Sequence, residues 1–210
     1  MRNVSVFVLA IAITACSKPA EPAPAAPGPQ PPAAAPRGPA LADQPAAAAA
    51  QPSGASPKAG GLTWTAPKPF VARTPKSSMR AAEYGIEGDA QSELTVFYFG
   101  ADQGGGVDAN MNRWIGQFKQ ADGSDAVATR GERTVNSMSV ATVEATGNYG
   151  GGMAAPGAPP PAAIENAGLL GAIAKGPEGS VFFKLVGPRA TLDGARPAFD
   201  QLIESLRKAD

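Results

Sequence analysis

Ser92-Glu93-Leu94-Thr95-Val96-Phe97-Tyr98-Phe99 is the stretch that decides the fold. Leu94, Val96 and Tyr98 point to one face of a strand, while Thr95, Phe97 and Phe99 point to the other. Both faces are apolar, so the strand is expected at the centre of a sheet covered on both sides. Strand patterns flank it at Leu62–Ala66, Met79–Ile86, Ala128–Val135, Ser139–Thr146, Ala167–Lys175 and Ser180–Val186. Pro67-Lys68-Pro69, Glu87-Gly88-Asp89-Ala90 and Gly176-Pro177-Glu178-Gly179 punctuate them as breaks and turns.

The covering layers are predicted to be two helices. In Val107–Gln120, residues Val107, Met111, Trp114 and Phe118 stack along one face at i, i+4, i+7 and i+11. The second helix is expected over about Gly194 to Arg207, with Ala195, Phe199, Leu202, Ile203 and Leu206 turned inward and Pro197 in its first turn. Arg207 and Lys208 would then complement the helix dipole at its C-terminal end. The expected class is α+β, a largely antiparallel twisted sheet of about seven strands sandwiched by two helices.

Outside residues 61–210, the composition changes. Residues 17 to about 60 are nearly all Pro, Ala, Gly, Gln and Ser, with more than half of the 22 prolines and no aromatic residue. Such a segment buries too little apolar area to offset its ordering entropy and reads as a tether. Its roughly 45 residues would reach on the order of 140 Å as fully extended polyproline II. The domain at 61–210 holds nearly all the aromatics and is long enough for one core.

Ahead of the tether, Arg2 precedes the apolar run Val4–Ile13, which is too short to span a bilayer and reads as a signal segment over residues 1–15. The tetrad Ile13-Thr14-Ala15-Cys16 resembles a bacterial lipobox. That resemblance implies cleavage before Cys16, a diacylglycerol on its sulfur and a triacylated terminus, the acyl chains being fatty acids such as palmitate. Lipidation would account for a lone cysteine in an exported chain, and more than one acyl chain is enough for stable anchoring. The expected location is the bacterial cell envelope, with Ser17 after the cysteine favouring the outer membrane, facing the periplasm. Without Arg2 the chain carries 17 basic and 18 acidic residues and no basic block, so nucleic acid is not an expected partner.

Two further resemblances concern the domain. Met79-Arg80-Ala81-Ala82, Asn110-Met111-Asn112-Arg113-Trp114 with Gln117, and Phe182-Phe183-Lys184-Leu185-Val186-Gly187-Pro188 resemble a group of bacterial lipoproteins of unassigned role, over roughly Leu62 to Leu206. The order of elements also looks like the Mog1/PsbP-like fold, an αβα sandwich whose members mostly bind partners as accessory factors. Fold alone does not set function, and no functional residue is carried over from either group.

The chemistry available is narrow. There is no histidine, and the single cysteine is expected to be acylated, which removes the commonest general base, a thiol nucleophile and the usual zinc ligands. No cofactor or metal is expected. Glu83, Glu93 and Glu144 lie on strands and could meet as a carboxylate pair, but each is expected to face solvent. In Gly100–Gly106 the Lys-Ser/Thr ending of a phosphate loop is missing, and Asp108 is expected to cap the following helix.

Asn110, Arg113 and Gln117 form a polar stripe beside the apolar one. Together with Trp114 and Tyr149 they are the candidate partner-binding residues, Trp, Tyr and Arg being enriched in interface hot spots. The same polar groups would otherwise fix the helix on the sheet. Gly147–Pro161 is a long Gly/Pro-rich insert, read as disordered or as a lid over a partner. The expected function is a lipid-anchored, non-enzymatic binding or accessory module for an envelope protein or other envelope component. A small-ligand carrier using the insert as lid is the alternative, and a carboxylate-based envelope hydrolase comes third.

Overall fold

The computed structural model describes residues 57–151 and 163–209. The signal segment, Cys16, most of the tether and residues 152–161 of the insert lie outside the described residues. The fold is an α+β sandwich built on an eight-stranded antiparallel sheet, with a helix on each face and a small three-stranded sheet beside it.

The small sheet joins β1 (Lys58–Ala59), β2 (Leu62–Thr63) and β11 (Arg207–Lys208), so the fold begins with residues assigned above to the tether. The main sheet runs from β3 (Phe70–Arg73) through β4 (Arg80–Ile86), β5 (Asp89–Tyr98), β10 (Gly179–Pro188) and β9 (Ile164–Gly176) to β8 (Met138–Tyr149). On its far edge β8 pairs with both β6 (Phe118–Lys119) and β7 (Val127–Val135).

The central strand is as expected. β5 lies between β4 and β10, with Leu94 and Val96 in one core and Phe97 and Phe99 packed on the other. Tight hairpins set the register. Ile86 pairs with Asp89 and Gly176 with Gly179. Val135 pairs with Met138 across Asn136-Ser137, both at positive φ, as the turn that matches strand twist requires.

The helices differ from expectation in their ends. α1 spans Val107–Ile115 and stops at Gly116, whose amide bonds to the Asn112 carbonyl, while the Gln117 amide bonds to that of Trp114. Phe118, expected on the helix, lies instead on β6 opposite Tyr149. One aromatic position suits either element, and pairing with β8 settles it. α2 begins at Arg189, five residues before the expected start, and ends at Glu204. Pro197 therefore lies inside the helix, and Arg207 and Lys208 pair with β2 instead of closing α2.

Each helix seals its own core. On the α2 side, Leu192, Phe199, Leu202 and Ile203 pack with Trp64, Val96, Phe183 and Leu185, all nearly inaccessible. Trp64 Nε1 donates to Tyr84 Oη at 3.0 Å, which satisfies the indole in the core. On the α1 side, Met111 and Trp114 pack with Val143, Leu169, Ile173 and Phe182. Nine residues make a helix of about 14 Å, whereas seven strands side by side span about 29 Å. α1 therefore spans only part of that face, and charged residues gather toward β4 and β5.

Candidate functional site

A single cross-strand row lays out this face. Arg73, Glu83, Thr95, Lys184, Gly171 and Val143 are successive Cα partners on β3, β4, β5, β10, β9 and β8. Glycine at 171 is needed for a close approach, since a Cβ there would lie 2.7 Å from Val143 Cγ1 and 2.9 Å from Trp114 Cζ3. The indole thus seats α1 directly over β9, and the row beyond it turns polar.

Glu83 and Glu93 are the acidic half of the site. The Glu83 side chain is 1% exposed, which corrects the expectation of a solvent-facing residue. Arg80 Nη1 reaches Glu83 Oε2 at 2.6 Å and Glu93 Oε1 at 2.7 Å, and Lys76 Nζ pairs with Glu83 Oε1 at 3.2 Å and with Glu93 Oε2. Thr95 Oγ1 also donates to Glu93 Oε1, at 3.2 Å. Burial pushes the Glu93 carboxyl up, but the Lys76 hydrogen bond and the Arg80 charge outweigh it and hold the group below the usual carboxylate range. Glu144, the third candidate carboxylate, lies on the opposite face and pairs with Arg196 of α2.

Lys184 is the basic centre, and the sequence reading missed it. It sits between the inward-facing Phe182 and Val186, so its side chain enters the α1 side of the sheet. Its ammonium donates to Gln117 Oε1 and lies 5.4 Å from the centre of the Tyr149 ring, within cation–π range. Burial, followed by the neighbouring Arg113 charge, lowers its pKa from 10.5 to about 8. The available signal was a lysine at an inward position of an apolar strand, where an unpaired charge is costly.

The predicted residues separate into two groups. Arg113, Gln117 and Tyr149 converge on Lys184 through charge, hydrogen bond and ring face. Tyr149 also packs on Phe118, with ring centres 5.0 Å apart, and burial raises its phenol pKa. Asn110 and Trp114 are buried, at 2% and 4% exposure, and present little surface to a partner. Asn110 Nδ2 donates to the Gly104 and Gly106 carbonyls at 2.8 and 2.9 Å, and its Oδ1 accepts from Arg113. It therefore closes the glycine-rich loop. Asp108 makes no side-chain cap; it pairs with Arg130 at 3.3 Å.

Arg73 completes the cluster. Its guanidinium lies over Gly85, where a Cβ would come within 2.1 Å of it, and it has no hydrogen-bond or ion-pair partner among the described residues. Lys76 and Arg80 thus hold the two carboxylates, and Arg73, Arg113 and Lys184 lie on the same face without a carboxylate partner among the described residues. Among the described residues no group of three or more metal-ligating side chains is present, and no helix is long and apolar enough to cross a membrane.

No protein-family model matches the chain. No curated protein matches it either. Solved structures do resemble it. The solution structure of cyanobacterial PsbP (CyanoP) from Synechocystis sp. PCC 6803 is similar with a TM-score of 0.47 at 13% identity, over 71% of this chain and 88% of that one. PA94, a protein of unknown function and putative regulator from Pseudomonas aeruginosa, has a TM-score of 0.40 at 12% identity, over 67% of this chain and 82% of the other.

Proposed function

We propose that this chain is a lipid-anchored envelope protein whose domain binds a protein or other envelope component, without catalysis, on the sheet face that carries Lys184, Arg113 and Tyr149. The observation that carries this reading is the convergence of Lys184, Arg113 and Tyr149 on the α1 side of the sheet, where Gln117 holds the Lys184 ammonium. Charged groups around an aromatic residue suit recognition, where they set partner choice and approach rate. Acid–base hydrolysis would need one carboxyl of the cluster protonated near neutrality. For Glu93, the Lys76 hydrogen bond and the Arg80 charge favour the opposite state. Cys16 would supply the membrane anchor and the Pro/Ala-rich tether the reach, with the domain in the periplasm at the outer membrane.

The test is photocrosslinking in intact cells from positions 113 and 149, with Asp193 on the exposed side of α2 as control. The expected result is one reproducible adduct from 113 and 149 and none from 193. Equal labelling from all three positions, or no adduct from any, would remove the reading.

A further inference from the structure

Lys184 is a desolvated cation with donors to spare. An ammonium has three N–H groups; Gln117 Oε1 accepts one, and the Tyr149 ring face takes up part of the charge. Among the described residues no carboxylate lies within 4 Å of Lys184 or Arg113 in an ion pair. Glu93, whose charge reaches Lys184, has both oxygens committed to Arg80, Lys76 and Thr95. Arg113 adds a second cation beside the first, exposed and tied only to the neutral Asn110. Two like charges set together, neither ion-paired to a carboxylate, raise the cost of both, and an anion between them would lower it.

We infer that Lys184 and Arg113 form an anion subsite that takes a carboxylate or phosphate group of the bound component, with Tyr149 as its wall. This rests on the proposed binding face and names the chemistry recognised there. The face's charge balance agrees with it, since Arg73 also has unused donors on the same side of the sheet. The planar guanidinium gives two parallel donors to an oxyanion, and the ammonium adds a point charge.

The full chain with Cys16→Ser is titrated by calorimetry with inorganic phosphate and, separately, acetate, at constant ionic strength in chloride. Lys184→Met and Arg113→Gln are compared with Arg207→Gln, an exposed cation on β11. Vesicles of phosphatidylglycerol against phosphatidylcholine distinguish a lipid headgroup from a free ion. The expected result is saturable binding to at least one anion source, weakened about tenfold or more by either Lys184→Met or Arg113→Gln and unchanged by Arg207→Gln. Arg113 is exposed, so that variant tests the site even if the Lys184 change disturbs folding. Absence of binding to all anions, or equal binding by all variants, would overturn the subsite. A crosslinked partner without anion binding would defeat this inference alone and leave the binding role standing.

Discussion

Replacing Lys184 with methionine is expected to stabilise the domain near neutral pH. The pKa of Lys184 falls from 10.5 to about 8 because burial disfavours its charge. A protonated Lys184 therefore costs the folded state about 3 kcal/mol. Methionine fills a similar space without the charge but leaves Gln117 Oε1 without its donor, a loss of about 1 kcal/mol. The net expectation at pH 7 is a gain of about 2 kcal/mol. The sign with pH is determined by proton counts. Between pH 8 and 10.5 the unfolded chain binds a proton at this lysine that the folded chain does not, so wild-type stability rises with pH. Below pH 8 both states are protonated and the full cost applies. The variant lacks this dependence, so its advantage should shrink as pH rises from 8 toward 10. Urea unfolding followed by circular dichroism, in chloride buffers without phosphate, measures both curves. A variant less stable than wild type at pH 7, or a stability difference constant from pH 7 to 10, would refute the assignment of Lys184 as a costly unpaired cation.

Three further outcomes are expected. Gly171→Ala would drive a methyl into Val143 and the Trp114 ring, lowering stability by about 1–3 kcal/mol in the same urea assay. Glu83→Ala would remove the buried partner of Arg80 and Lys76, costing about 3 kcal/mol; an unchanged urea midpoint would show that Glu93 alone suffices to hold Arg80. Cys16→Ser would abolish incorporation of labelled palmitate and release the protein from the membrane fraction, whereas retained label would exclude Cys16 as the acylated residue.

The helix ends and the site divide along a physical line between local pattern and long-range pairing. Strand positions were legible because period-two alternation and Gly/Pro turns are local signals, and the stripe Val107, Met111 and Trp114 marked α1 for the same reason. Phe118 continued the stripe equally well, and only its pairing opposite Tyr149 made it a strand residue. Arg207 and Lys208 suited a helix end by charge, yet hydrogen bonding to β2 claimed them. Arg113, Gln117 and Tyr149 were nameable from residue type. Their meeting point at Lys184 was not, because it joins α1, β8 and β10 across the sheet.

What the sequence determined by itself is the layered α+β architecture, since a strand apolar on both faces must be covered on both. The tertiary structure alone decided which charges meet. Glu83 and Glu93 became an ion-paired cluster and Lys184 a cation with no carboxylate partner among the described residues because strand register brings together side chains far apart in the chain.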